Sequence, residues 1–265
     1  MIIDAHTHVF PEAIAAKSIG TLENIGKEKA VIGGTANDLL GAMKESGVDL
    51  SVVLPVVTKP RQFESVNGFA AELNRIPGIM SLGGIHPACD DIGRRLDVIV
   101  SLGLKGVKLH PDYQETDITD EGYIKILVGC RERGLAVFIH AGVDPAYPGH
   151  VHCPPDLSAD VVKAVTKERP FIVLAHMGGT NQTDLAERHL VGLPVYFDTA
   201  FVLDGMEKER IRGMIRSHGF EKILFATDSP WRSAKRYIEI INSLRLDPAE
   251  RDAVLWKNCA GLLGI

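Results

Sequence analysis

The chain has 265 residues, with 29 Lys and Arg against 34 Asp and Glu, a formal net charge of −5. A hydrophobic share of 45% excludes a disordered chain, and the length excludes a disulfide-built miniprotein. Mild acidity without clustered Lys and Arg argues against a nucleic-acid partner, and no apolar run reaches the roughly 20 residues that span a membrane.

Asp4 and His6 interrupt the first apolar stretch, so it does not read as a secretion signal. Cys89, Cys130, Cys153 and Cys259 lie far apart with no C-x-x-C pair, as expected of reduced thiols in a cytoplasmic protein. Short runs rich in Val, Ile and Leu recur at 1–5, 50–55, 79–84, 106–109, 136–139, 171–175, 195–197 and 223–226. Their nearly continuous apolar character predicts parallel strands buried on both faces. Helical patterns lie between them. Thr35-Ala-Asn-Asp38 precedes Leu39, Leu40 and Met43, and Thr119-Asp120-Glu121-Gly122 precedes Ile124 and Leu127. Glycine closes several helices, as at Gly47, Gly103, Gly134 and Gly219. Two connections, 9–34 and 142–155, are longer than usual, and such loops in compact folds tend to be functional or mobile. No linker or shift in composition divides the chain, so 1–265 read as one domain. An open doubly wound sheet would show the same alternation. Eight regular units favour an α/β fold closed into a (β/α)8 TIM barrel.

The placement of the ten histidines carries the chemistry. His6, His8, His86, His110, His140 and His176 fall at the C-terminal ends of predicted strands, and His150 and His152 fall in the loop at 142–155. Only His189 and His218 belong to helices. In a barrel the C-terminal strand ends form one active face, so eight of ten converge on one mouth. His6-Thr-His8 is an H-x-H whose period of two puts both imidazoles on one face, as neighbouring ligands of a borderline ion such as Zn²⁺ require. Asp228, closing the apolar strand at 223–226, would be costly to bury without a cation or donors beside it. Its plainer reading is a cap for the following helix.

These residues together resemble the amidohydrolase superfamily, in its branch of small metal-dependent hydrolases and decarboxylases. The resemblance rests on Asp4-Ala-His6-Thr-His8, His140, His176, Thr227-Asp228-Ser-Pro and Lys257-Asn258-Cys259-Ala260, the last similar to the family's C-terminal helix. It implies that His6, His8, His140 and Asp228 hold a catalytic divalent metal, zinc first, with manganese or iron as alternatives. It implies that His176 either binds a second metal or assists water, with Asp228 and His176 as the catalytic pair. Lys108 is either a carboxylated metal bridge or, the favoured reading, an ammonium that binds a substrate carboxylate. His110 and Tyr113 are candidate substrate contacts. Asp198 is a candidate partner for a ligand histidine, and Asp112, Tyr147 and Trp231 are candidate pocket residues. His86 reads as rim structure. The segment Gly149-His150-Val-His152-Cys153 carries metal-ligating residue types but no strand or helix to hold them.

The expected activity is hydrolysis of an amide, lactone or ester of a small carboxylated molecule by metal-activated water. Decarboxylation of a small aromatic or unsaturated acid is the alternative. A phosphoesterase and a non-catalytic barrel rank lower. Metal affinity should fail below about pH 6, where imidazoles protonate. Barrels of this kind often pair, so a homodimer is one assembly open to the chain.

Overall fold

In the computed structural model, which describes residues 1–167 and 169–265, short parallel strands alternate with helices. The strands are β1 (Ile3–Thr7), β2 (Leu50–Val53), β3 (Ile79–Ser81), β4 (Gly83–Gly84), β5 (Gly106–Leu109), β6 (Ala136–Ile139), β7 (Ile172–Leu174), β8 (Tyr196–Asp198) and β9 (Ile223–Leu224). They pair in chain order as β1-β2-β3 and β4 through β9, every pairing parallel. β3 and β4 are two parts of the single strand predicted at 79–84, separated by Leu82, whose N–H still donates to Val53 O at 2.9 Å. The other seam is closed by Ala5 N–H to Phe225 O at 2.9 Å and Asp228 N–H to His6 O at 2.9 Å. The result is a closed (β/α)8 barrel.

The helices follow the strands: α1 (Glu12–Gly26), α2 (Ala36–Ser46), α3 (Phe63–Leu73), α4 (Ile92–Ser101), α5 (Glu121–Glu132), α6 (Pro155–Val165), α7 (Thr183–His189), α8 (Lys208–His218), α9 (Ala234–Ser243), α10 (Pro248–Asp252) and α11 (Asn258–Leu263). α2 begins at a complete capping box. Asp38 N–H donates to Thr35 Oγ1 at 3.1 Å, and Thr35 N–H returns to Asp38 Oδ2 at 3.0 Å. The long connection expected at 9–34 contains α1. That helix buries only Ala15 and Ile19, so it lacks the apolar stripe that would announce it in sequence. Among the described residues no helix is long and apolar enough to cross a membrane.

Alternation along the strands sorts side chains into two cores. Val107, Leu109, Val137, Ile139, Ile172, Leu174, Phe197 and Ile223 pack outward against the helices. Ile3, Ala5, Val52, Leu54, Phe138, Val173 and Leu224 fill the interior, with Cys259, Ala260 and Leu263 of α11 packed against them. Asn258 Nδ2 donates to Phe220 O and Ile223 O at 2.7 and 2.8 Å and pins α11 beneath β9. The site therefore stands on a filled barrel rather than over a pore.

At the end of α8, buried His218 stacks on Phe197 with ring centroids 3.9 Å apart. Its Nε2–H donates to Val195 O at 2.7 Å and its Nδ1 accepts from Gly192 N–H at 3.2 Å, a pattern only the neutral ring satisfies. Burial lowers its pKa to about 4. The unfolded chain, with histidine near 6.5, protonates first. The contribution is therefore intact above about pH 6.5 and is lost as pH falls towards 4, by up to about 3 kcal/mol. In urea titrations from pH 7 to 4, His218→Gln should lose stability at pH 7 and show a shallower decline below 6.5. An unchanged acid limb would contradict this role.

Candidate metal centre and active site

β1 carries a bulge, with the register to β2 shifting between Asp4 and Thr7. Strict alternation would put Asp4, His6 and His8 on one face. Instead Asp4 lies with Ser51, Leu39 and Met43 on the outer side, while His6 reaches Lys108 of β5 across the interior. Bulges re-aim side chains in this way beside functional sites. Asp4 accepts from Thr227 Oγ1 at 2.6 Å and Thr227 N–H at 3.0 Å, tying β1 to the turn that carries Asp228. Burial pushes the Asp4 carboxyl up to about 7, against these hydrogen bonds.

Asp228 itself sits at φ 68° and His176 and Met177 at φ 60° and 54°, left-handed backbone that side chains avoid. Each such residue costs on the order of 1–3 kcal/mol and persists only where its surroundings fix it. His176 N–H is held by Asp198 Oδ1 at 2.8 Å, and Asp228 accepts Trp231 N–H at 2.9 Å.

Three ligand-type atoms converge at the mouth. His6 Nε2 and His8 Nε2 are 3.1 Å apart, and Asp228 Oδ1 lies 3.3 and 3.1 Å from them. The other nitrogen of each ring settles its tautomer. His6 Nδ1 donates to Asp198 Oδ2 at 2.8 Å, and His8 Nδ1 donates to Leu54 O at 2.9 Å. Both Nε2 atoms therefore present lone pairs, and so does the carboxylate. Burial, then the nearby Lys108, lowers the His6 pKa to about 4, so it stays neutral. Burial alone would raise Asp228, but His6, His8 and His176, when they carry protons, hold it well below the usual carboxylate range. Three lone-pair donors facing one another call for a cation, and the donor set fits a borderline divalent ion.

Lys108 is the cationic side chain at this point, 1% exposed, with Nζ 3.2 Å from His6 Nε2. Burial lowers its pKa to about 8, offset in part by Asp198 and Asp228. Lys108 is thus an ammonium at neutral pH, close to the limit of remaining one.

His140 joins a neighbouring set. Its Nδ1 lies 3.0 Å from His176 Nε2, and its ring stacks on His110 with centroids 4.2 Å apart. His110, His140 and Asp144 form a second buried group of ligand-type atoms, with His110 Nε2 3.3 Å from Asp144 Oδ2. His176 Nδ1 donates to Ala200 O at 3.0 Å, so its Nε2 accepts from His140 Nδ1–H. That leaves His140 Nε2 as a buried lone pair without a partner, 3.7 Å from the equally unpartnered Asp112 Oδ2. Such orphans mark a missing proton or cation. Tyr113 stacks on the other side of His110 at 3.7 Å, and Tyr147 stands 5.4 Å from Tyr113. His86 is buried, its Nδ1 accepting from Ala88 N–H at 3.1 Å.

The structure therefore brings His6, His8 and Asp228 together, sets Lys108 against them, and places His140 with His110, Asp144 and His176. Sequence reasoning missed Asp144 and the hydrogen-bonding role of Asp4. Asp144 lies in an irregular loop where no periodicity singles it out, whereas Asp4 was visible within the opening motif.

The amidohydrolase family model matches residues 3–265. No curated protein sequence matches the chain. Among solved structures it is similar to an uncharacterized TIM-barrel protein from Bordetella bronchiseptica, at 15% identity over 99% of this chain and 98% of that one, with a TM-score of 0.77. It is also similar to a candidate 2-pyrone-4,6-dicarboxylic acid hydrolase from Pseudomonas putida, at 19% identity over 99% and 97% with a TM-score of 0.69. A dihydroxybenzoic acid decarboxylase from Polaromonas sp., solved with manganese and the inhibitor 2-nitroresorcinol, matches at 14% identity over 99% and 96% with a TM-score of 0.70. At these identities the likeness is one of fold. The family match over almost the whole length decides the relationship: the chain belongs to the amidohydrolase family of metal-dependent enzymes.

Proposed function

We propose that the protein is a metal-dependent hydrolase that opens an amide, lactone or ester of a small carboxylated molecule. The observation that carries this reading is the convergence of His6 Nε2, His8 Nε2 and Asp228 Oδ1 within 3.1 to 3.3 Å of one another, beside the buried Lys108 ammonium. These three residues would hold one divalent ion, zinc first by donor type, with manganese or iron as alternatives, and the His110–His140–Asp144 set offers a place for a second. When bound, the ion supplies Lewis-acid chemistry, acidifying water and polarising a carbonyl.

The chain's own residues do the rest. Asp228, held as a carboxylate, takes the proton of the attacking water. Asp198 fixes the His6 tautomer through the 2.8 Å contact to Nδ1. His176, anchored through Nδ1 to Ala200 O and accepting from His140 at Nε2, fixes the His140 ring and would turn to the water only if substrate displaces that contact. Lys108 neutralises the substrate carboxylate or the oxyanion that develops on attack. Tyr113, backed by His110 at 3.7 Å, leaves one ring face for a planar substrate. The four cysteines are buried free thiols, which fits the reducing cytoplasm we propose as its compartment.

Decarboxylation is the second reading. The same cation and Lys108 would grip a carboxylate that is then lost, and the Polaromonas decarboxylase has a similar fold. Product analysis separates the two with a small lactone dicarboxylate and a dihydroxybenzoate as test substrates. We expect ring opening with one acid equivalent released per turnover. Release of CO₂ without consumption of water would overturn the hydrolase in favour of the decarboxylase.

A further inference from the structure

Outside the mouth, a third group of ligand-type side chains joins two loops. Asp117 lies in the connection after β5, and His150 and His152 lie in the connection after β6. One ligand atom of each lies within 4.8 Å of the other two. His150 Nε2 is 2.6 Å from Asp117 Oδ1, and the two imidazoles meet edge to face with centroids 4.6 Å apart. From this geometry we infer a peripheral site for a divalent transition-metal ion, built from Asp117, His150 and His152 and separate from the catalytic donor set.

The loop is held by backbone pairing rather than by a strand or helix. Ile118 N–H donates to His152 O at 2.9 Å, which sets Asp117 beside His152. Gly142 N–H donates to Cys153 O at 3.0 Å, and Val143 N–H donates to Thr180 O at 2.9 Å. A side chain at Gly142, where φ is +84°, would run into the backbone of Thr180, so the loop is seated closely at its base. His152 is fixed further by buried Asp112, whose Oδ1 accepts from its Nδ1–H at 2.9 Å and from its backbone N–H at 3.3 Å. That bond settles the tautomer and leaves the lone pair on Nε2, the carboxylate–histidine arrangement that supports metal ligands.

The ligand class follows from the donors. Two imidazoles and one carboxylate suit Zn²⁺, Co²⁺ or Ni²⁺, whereas Mg²⁺ and Ca²⁺ prefer oxygen alone. The side chains of His150 and Asp117 are 66% and 47% exposed, so water completes the coordination and exchange with solvent is direct. Binding replaces the hydrogen bond between His150 Nε2 and Asp117 Oδ1 with two metal contacts. The bound ion ties the loop after β5 to the loop after β6. The second of these carries Asp144 and Tyr147, which face His110 and Tyr113 at the mouth. Occupancy thus restrains the loop that lies over the mouth.

The test is equilibrium dialysis of the full chain, its catalytic site already loaded, against Co²⁺ or Zn²⁺. Wild type should take up one further equivalent, with Co²⁺ giving a visible absorption band. Asp117→Asn and His150→Ala should each weaken that equivalent at least tenfold and leave the first untouched. His6→Ala should lose the catalytic equivalent and keep this one, so failure of the catalytic reading would be seen separately. No further equivalent in wild type, or an equal one in both peripheral variants, would overturn the site.

Discussion

Asp228→Asn is expected to lower turnover by a factor on the order of 10³ or more, about 4 kcal/mol of transition-state stabilisation. The exchange keeps volume and shape but removes the charge that faces His6 Nε2 and His8 Nε2 at 3.3 and 3.1 Å. It also removes the group proposed to take a proton from water. The fold should survive. In the metal-free protein three lone-pair atoms crowd together, and an amide N–H in place of a carboxylate oxygen can donate to one of the imidazoles. The metal-free variant should therefore melt within a few degrees of wild type while binding metal far more weakly. Activity within a few-fold of wild type would remove Asp228 from the reaction.

The second large effect concerns Lys108. Lys108→Met fills the same space without charge, and kcat/KM for a carboxylated substrate should fall about 10²- to 10³-fold, or about 3–4 kcal/mol. An uncharged analogue of the substrate should lose much less. Because burial holds the Lys108 pKa near 8, the wild-type profile should decline above that pH as the ammonium loses its proton. The variant should lack that limb. Equal losses on charged and neutral substrates, with the alkaline limb retained, would assign Lys108 a structural role instead.

Much of the barrel was legible because burial on both faces leaves a plain mark. The predicted 106–109 and 136–139 coincide with β5 and β6, whose residues are all buried. Where local geometry departs from the ideal, sequence is a weaker guide. β1 runs two residues further than predicted and contains a bulge, which no period-two reading can reveal. α1 escaped notice because its buried face is two residues wide. At the site, the strand ends pointed to His6, His8, His110, His140 and His176, whose rings pack against one another, and also to His86, which contacts Ala88 instead. They could not say which of those side chains touch. His140 and Asp228 both end apolar strands, yet His140 meets His176, His110 and Asp144, because ring orientation and loop path decide contacts on the scale of 3 Å. Asp144 was invisible for the same reason, since its position depends on the path of the connection at 142–155.

His6, His8 and Asp228 are expected to hold a catalytic divalent ion. Elemental analysis of the purified protein tests it most directly, after dialysis against zinc and removal of loosely bound ions, with activity followed in parallel on His6→Ala. Wild type should hold about one tightly bound ion per chain, His6→Ala should lose it, and activity should fall on chelation and return with added metal. Full activity in wild type stripped of divalent ions, or undiminished metal content and activity in His6→Ala, would contradict it.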